Sequence, residues 1–529
     1  MVRDDKTAKN GDSINADHIR RLIRIGVALS AEKDIDRLLE KILTEARIIT
    51  GADGGTLYLL SENEKELQFA FVQNDSLGVN MGGSGGKMTW PPIPLAGPDG
   101  RPNHTNVSAH VAITGEPIMI ADVYDAPGFN FEGPRMFDKE SGYRSRSMLV
   151  VPMRDHAGNI IGVLQLLNAT DAETGAVGAF SAEAQELAWS LASQAAVALT
   201  NNRLITELEN LLDAFIQTIA VAIDEKSPYT GGHVRRVADL TMRIARKINE
   251  AQTGPFAAVH FSDDELRELR MAAWLHDVGK ITTPEHIVDK ATKLEKVYDR
   301  IEDVKVRFEL LKREYQLAID MARSHPDGRS AEEVEREIAA LDEEYRFLAQ
   351  VNNATEDLGE DAVARIERIA RRTWRSASQA LPLLTEDEIY NLCIRHGTLN
   401  EEERGIVNNH AAVTRKMLAR LPFPRKLRRI ADYASAHHEK LDGGGYPLGL
   451  GERDLPLQAR IIALADIFEA LTAKDRPYKR GKTLGEALRI MAGMVAQKHI
   501  DADLYDLFTK EGIYLDYARE ELAPQQVDV

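Results

Sequence analysis

Apolar residues recur along this chain with two different periods, and the changes of period mark out its parts. From Ile19 to about Ile49, Leu22, Ile25, Leu29, Leu38 and Ile42 fall at helical spacing, with a break expected near Asp34. Two strand-like runs follow, TLYLL (Thr56 to Leu60) and ELQFAFV (Glu66 to Val72), split by the turn-like SENEK. Residues 77–105 hold many Gly and Pro and continue neither pattern, so a long loop is expected there. PIMIADV (Pro117 to Val123), SMLVVPM (Ser147 to Met153) and IIGVLQLLN (Ile160 to Asn168) read as further strands. DHAGN between the last two is a hairpin signal. After a loose polar tail over residues 1–17, the order helix, strands, helix predicts an α+β domain over residues 18–200.

A connecting helix is expected over residues 181–226. Along it Leu204, Leu208, Leu211, Phe215 and Thr218 step by four, three, four and three, the spacing of a short coiled-coil seam. Two readings stand: a helix packed on its own domain, or a parallel homodimeric helix that carries conformational state onward. Residues 227–529 are helical in pattern almost throughout and predict an all-α domain. Within it, residues 295–385 read as an inserted antiparallel helical hairpin. Val297, Ile301, Val304, Phe308, Leu311, Tyr315 and Ala318 form one seam, and Val334, Ile338, Leu341, Tyr345 and Leu348 the other. The turn HPDG (His325 to Gly328) and a capping box of Ser330 with Glu333 lie between them, and a helix around Val363, Ile366 and Ile369 returns the chain.

Composition narrows the function. The 529 residues carry a formal charge of −17, which argues against a protein that coats nucleic acid. Cys393 is the single cysteine, so an intramolecular disulfide and a thiolate metal cage are excluded, and a reducing compartment is expected. The N-terminal stretch lacks the apolar run of a signal peptide, and no apolar run approaches the roughly 18 residues that span a bilayer. A cytoplasmic protein without membrane insertion is the expectation.

Candidate chemistry sits on the apolar stripes of the C-terminal half. His233 shares a face with Val237, Leu240 and Ile244. His276 follows Leu266, Leu269 and Ala273, and His410 sits with Ile406, Val413 and Met417. His437 follows Ile430 and Tyr433, while Asp466 falls with Ile462 and Ala470. Two of these precede another candidate ligand, Asp277 and His438. Burying so many polar groups without partners is costly, and a shared metal centre satisfies them together. Imidazole and carboxylate suit Fe, Mn, Zn, Co or Ni rather than Ca. Seven ligands fit two ions bridged by a carboxylate, a constellation suited to phosphate-ester hydrolysis, with Lys280 able to hold a phosphate oxygen.

WLHDVGK (Trp274 to Lys280) resembles the signature of the HD phosphohydrolase superfamily, and HHEKLDGGGYP (His437 to Pro447) resembles the defining motif of its HD-GYP subgroup. PYTGGHVRRVA (Pro228 to Ala238) and ARIIALADIFEALTAKDRPYK (Ala459 to Lys479) are similar to the family's first and closing segments. The resemblance implies a phosphodiesterase that hydrolyses cyclic di-GMP to pGpG and, in many members, on to GMP, so the end product stays open between the two. It implies one metal on His233, His276, Asp277 and Asp466. The second would be held by Asp277 as bridge, with His410, His437 and His438. Iron or manganese is expected, with Asp277 and Lys280 as catalytic residues. Lys280, Arg476 and Lys479 would contact the substrate, and so would the loop carrying Gly443, Gly445, Tyr446 and Pro447. Tyr229 stands where some members carry a third-metal Glu, so two metals are expected. The insertion is a departure that could gate the cleft. This keeps two alternatives open: a cyclic di-GMP receptor with little turnover, or a hydrolase of another cyclic dinucleotide.

Residues 18–200 resemble a GAF domain, which implies a small-molecule sensor with a ligand still to be identified, or a ligand-free dimerisation scaffold. Asn168 and Phe180 align with the signature of cyclic-nucleotide-binding members, but Ala169, Ala184 and Gln185 depart from it. No cysteine lies here, which excludes a thioether-linked bilin.

Overall fold

The computed structural model describes residues 20–529 except 87, 89, 172, 226–231, 323–330, 354–356, 377–378 and 474–480. The expected tail 1–17, Tyr229, the turn at His325, the Ser330 cap, Arg476 and Lys479 lie outside the described residues. The chain divides into two units, Met1–Leu211 and Leu212–Val529.

The first unit opens with helix α1 (residues 20–31) and α2 (Ile35–Thr50), and the break near Asp34 is a helix cap. The Asp34 carboxylate accepts from the Arg37 N–H, which gives a free N-terminal donor a partner. The strands are β1 (Ala52–Leu60), β2 (Glu66–Asn74), β3 (Val79–Gly82), β4 (Ile93–Pro94), β5 (Ile118–Ile120), β6 (Met148–Arg154), β7 (Ile160–Thr170) and β8 (Val177–Gly178). They form one antiparallel sheet with the central order β3-β2-β1-β7-β6-β5. The Gly/Pro-rich stretch expected as loop thus contributes two short strands. Helices α3 (Val107–Thr114) and α4 (Glu132–Ser141) lie between strands, and α5 runs Ala182–Asp224.

Alternation along the strands builds two cores, because successive side chains leave a strand on opposite faces. Leu57, Leu149, Leu164 and Leu166 pack with Leu38, Ile42, Ala188 and Leu191 of the helices. Their neighbours Tyr58, Met148, Val150 and Val163 pack on the other face with Val107, Val111 and Phe131. Asn168 and Phe180 serve this fold. The Asn168 amide accepts from the Arg146 N–H at 2.7 Å and donates to the Arg144 carbonyl at 2.8 Å, and Phe180 is buried in the helix-side core. The seam residues Leu204, Leu208, Leu211 and Phe215 of α5 are all exposed.

The second unit contains α6 (His233–Glu250), α7 (Asp263–Leu275), α8 (Glu285–Val288), α9 (Ile301–Ala322), α10 (Ala331–Asn353) and α11 (Glu360–Ala370). After strands β9 (Thr373–Ser376) and β10 (Gln379–Pro382) come α12 (Glu386–Leu392), α13 (Glu401–Asn408), α14 (His410–Leu418) and α15 (Ile430–Ser435). The chain ends with α16 (Leu457–Thr472), α17 (Leu484–Ala496), α18 (Ala502–Lys510) and α19 (Ile513–Glu521). One core joins α6, α7, α15 and α16 through residues such as Val237, Leu269, Ile430 and Ile462.

The insertion has a core of its own, with Ile301, Val304, Phe308 and Leu311 of α9 against Leu341 and Leu348 of α10 and Ile366 and Ile369 of α11. Two details correct the expected hairpin. Val297 is 92% exposed and precedes the helix. The antiparallel pair β9–β10 follows α11, so the insertion is not purely helical. Its base is closed by Lys290 and Glu403, a buried ion pair at 2.7 Å between the segments flanking it. Among the described residues, no helix is long and apolar enough to cross a membrane.

Candidate metal centre

Four of the five expected helix positions lie at helix ends rather than in mid-helix. His233 and His410 open α6 and α14, His276 caps the C-terminus of α7, and His437 lies two residues beyond α15. Asp466 sits within α16. The helix ends matter because their last carbonyls lack intrahelical partners. The Nδ1 of His276 meets the Ala273 carbonyl at 2.8 Å, and the Nδ1 of His437 meets the Ala434 carbonyl at 2.7 Å. The Nδ1 of His410 meets the Val407 carbonyl of the preceding helix at 2.6 Å. A carbonyl only accepts, so each Nδ1 carries the hydrogen and each Nε2 keeps its lone pair.

Those lone pairs converge. The Nε2 atoms of His276, His410 and His437, together with Asp277 Oδ1, are buried and have no hydrogen-bond partner. Buried acceptors facing one another without a donor are costly unless something electropositive lies between them. Three triads bring one donor atom each to within 4.8 Å of one another: His233/His276/Asp277, His276/His437/Asp466 and His410/His437/His438. Donor type, burial and missing partners all fit a divalent cation.

Asp277, 4% exposed, links the two halves of the cluster. Its Oδ2 is 3.5 Å from His233 Nε2 and 3.2 Å from His276 Nε2. Its Oδ1 is 3.3 Å from His410 Nε2 and 4.0 Å from His437 Nε2. Asp466 Oδ1 lies 3.4 Å from His233 Nε2 and 3.8 Å from His276 Nε2. Such an arrangement could hold two cations that share one carboxylate.

The electrostatics differ across the site. Burial opposes charge on His233, but Glu469, Asp277 and Asp466 outweigh it and raise its pKa well above the usual value. Burial and the neighbouring imidazoles His438 and His276 hold His437 well below it. His438 is lowered to about 4, chiefly by burial. Burial would push Asp277 up, yet Lys280 and His276 hold its carboxyl well below the carboxylate range. The Lys280 ammonium donates to Asp277 Oδ2 at 2.6 Å.

The Gly443–Pro447 loop packs on the same cluster, with the Tyr446 ring 4.8 Å from that of His438. Gly445 passes so close to the motif's own backbone that a Cβ there would lie 2.4 Å from Glu439 Cα. Arg476 and Lys479 lie outside the described residues.

Three residues outside the expected set organise the site. Glu469 is 1% exposed; its carboxylate meets His233 Nδ1 at 2.5 Å and Arg236 Nε at 2.7 Å, which turns His233 Nε2 toward the cluster. Thr414 accepts from the Gly279 N–H at 2.9 Å and donates to the His276 carbonyl at 3.1 Å, joining α14 to the turn after α7. Glu439 accepts from the Leu448 and Leu450 N–H groups at 2.6 and 2.9 Å and ties down the loop. Glu469 falls three residues after Asp466 on the same helix, a spacing that could have flagged it; Thr414 carries no such signal.

Family models for the HD domain match residues 230–370 and 316–504, and one for the GAF domain matches residues 34–199. The chain is 36% identical over 128 residues to "3'3'-cGAMP-specific phosphodiesterase 1" of Vibrio cholerae, covering 24% of this chain and 28% of that one. It is 38% identical over 119 residues to "Cyclic di-GMP phosphodiesterase PA4108" of Pseudomonas aeruginosa, covering 22% and 28%. It is 29% identical over 236 residues to "Cyclic di-GMP phosphodiesterase response regulator RpfG" of Xanthomonas campestris, covering 43% and 59%. The chain thus carries a segment that matches the GAF domain, followed by segments that match the HD domain. Less than two thirds of each of these relatives is spanned. The matched HD segments contain His233, His276, Asp277, His410, His437, His438 and Asp466.

Proposed function

We propose that the HD-GYP unit is a phosphodiesterase that uses two divalent transition-metal ions, iron or manganese, to hydrolyse cyclic di-GMP to pGpG and on to GMP. The observation that carries this reading is the Asp277 carboxylate with its two oxygens turned toward two different groups of imidazoles. His233, His276, Asp277 and Asp466 would hold one ion, and Asp277, His410, His437 and His438 the other. Bound there, the ions would polarise a phosphate ester and activate a water for attack. The chain's own residues do the rest. Carbonyls and Glu469 fix the imidazole orientations, Lys280 balances the Asp277 charge beside the phosphate, and the Tyr446 loop walls the cleft. Arg476 and Lys479 are proposed as phosphate and guanine contacts.

A second substrate has specific support: three Vibrio cholerae relatives are named for 3'3'-cGAMP. The deciding experiment offers anaerobically loaded protein both dinucleotides side by side and separates the products by chromatography. Linear product from cyclic di-GMP at the higher rate is expected. Faster cleavage of 3'3'-cGAMP would transfer the assignment to that substrate, and binding of either without product would leave a receptor.

The exposed stripe of Leu204, Leu208, Leu211 and Phe215 supports a parallel coiled coil with a second copy, through which the GAF unit would regulate turnover. Sedimentation velocity is expected to show a dimer that Leu208→Glu converts to monomer. A monomeric native chain would end this part of the proposal.

A further inference from the structure

The sheet of the first unit carries a cavity of about 630 Å3, a volume suited to a drug-sized molecule. It is lined from the face of the sheet that bears Tyr58 and Met148, opposite the face covered by α2 and the start of α5. Four rings follow one another along its wall. Tyr58 and Phe69 have centroids 4.8 Å apart, Phe69 and Trp90 5.2 Å, and Trp90 and Phe137 6.3 Å. The tilted Tyr58–Phe69 pair and the edge-to-face contacts of Trp90 leave ring faces available to a planar guest.

The polar groups narrow the guest. Gln165 lines the cavity, and its Oε1 accepts from the Ser108 hydroxyl at 2.9 Å and the Tyr58 hydroxyl at 3.4 Å. What Gln165 has left to offer is its amide donor, which calls for an acceptor on the ligand. The Asn106 oxygen is spent capping α3 through the Ala109 N–H at 3.0 Å. Among the described lining residues Glu140 is the one charged side chain, and it is exposed. The nearby guanidinium of Arg144 stacks on Tyr124 at 3.3 Å and pairs with Asp122 at 3.2 Å, so it is already engaged. Among the described lining residues, a phosphate placed in such a pocket would meet no cation to offset its desolvation. A cation, in contrast, would find aromatic faces and a carboxylate.

We propose that this cavity binds a flat aromatic molecule, neutral or cationic and bearing a hydrogen-bond acceptor, and that it rejects phosphate-bearing nucleotides. The site is separate from the metal centre, and its occupancy is read without any turnover. The test uses the full chain in equilibrium dialysis with 5-hydroxytryptamine, 5-hydroxytryptophol and 5-hydroxyindole-3-acetate. These probes share one ring system and one acceptor and differ in charge. The cation and the neutral probe are expected to bind, and the anion to bind at least about tenfold more weakly. Cyclic GMP should not bind saturably. Glu140→Gln, an exposed change, should weaken the cation alone, and Trp90→Leu should weaken both binders. Overturning results are an anion or cyclic GMP that binds as tightly as the neutral probe, neutral-probe affinity unmoved by Trp90→Leu, or no saturable binding of cation and neutral probe at millimolar concentration.

Discussion

Asp277→Asn is expected to empty the metal centre and abolish hydrolysis while the fold persists. The substitution keeps the shape of the side chain but removes its charge and converts one oxygen into a donor. Both carboxylate oxygens are in use: Oδ2 faces His233 and His276 and accepts from Lys280, and Oδ1 faces His410 and His437. An amide cannot offer an oxygen to both sides, so the shared ligand of the two proposed ions is lost. Removing one partner of a buried charged cluster costs about 3–5 kcal/mol. Separately from that stability cost, the expected rate decrease is at least about 10^3-fold, equivalent to about 4 kcal/mol in the barrier. The measurements are metal content by mass spectrometry and product formation from cyclic dinucleotide, with circular dichroism as the folding control. A variant that keeps its full metal content and near-native rate would remove Asp277 from the centre of the mechanism.

Gly279→Ala should be the most destabilising single-methyl addition around the site. A Cβ at Gly279 would lie 2.0 Å from the His410 carbonyl oxygen, 2.7 Å from the Thr414 N and 2.8 Å from Thr414 Oγ1. Two of those atoms are backbone, so no rotamer change relieves the collision, and α14 must move off the turn with His410 at its start. Overpacking of this kind costs about 3 kcal/mol or more, and the displaced His410 should lower metal affinity as well. Gly405, on α13, has nothing within 4 Å of its added Cβ and is the natural control. Gly405→Ala should be neutral or stabilising by about 0.5 kcal/mol, since alanine is the better helix former. Urea denaturation of the two variants reads the difference directly. Equal midpoints would mean that α14 and the turn after α7 are not packed as described.

Local pattern carried much of the architecture because it depends on near neighbours. The alternation in SMLVVPM and IIGVLQLLN predicts strands, and both are strands whose successive apolar residues alternate between the two cores, Leu149 and Val151 in one and Met148 and Val150 in the other. The seams beginning at Ile301 and Val334 predict paired helices, and those residues are buried in α9 and α10. Val297 misled because a seam continued backward by period alone takes no account of the chain entering the helix later. The β9–β10 pair stayed hidden because each strand is only four residues long and its described residues are exposed or half-buried, too short a run for the apolar alternation that marks a half-buried strand.

The sequence by itself determined which side chains could bind cations and the helices and turns on which they ride, since residue chemistry and helical period are local properties. Only the tertiary structure decided that Asp277 turns one oxygen to each group of histidines, that Glu469 aims His233, and that Thr414 locks α14 against the turn after α7. The contacts of Asp277 with His410, Thr414 with Gly279 and Glu469 with His233 join residues that the chain separates by more than 130 positions, at distances of a few ångströms. No periodicity reaches that far; packing of the shared core around α6, α7, α15 and α16 sets them.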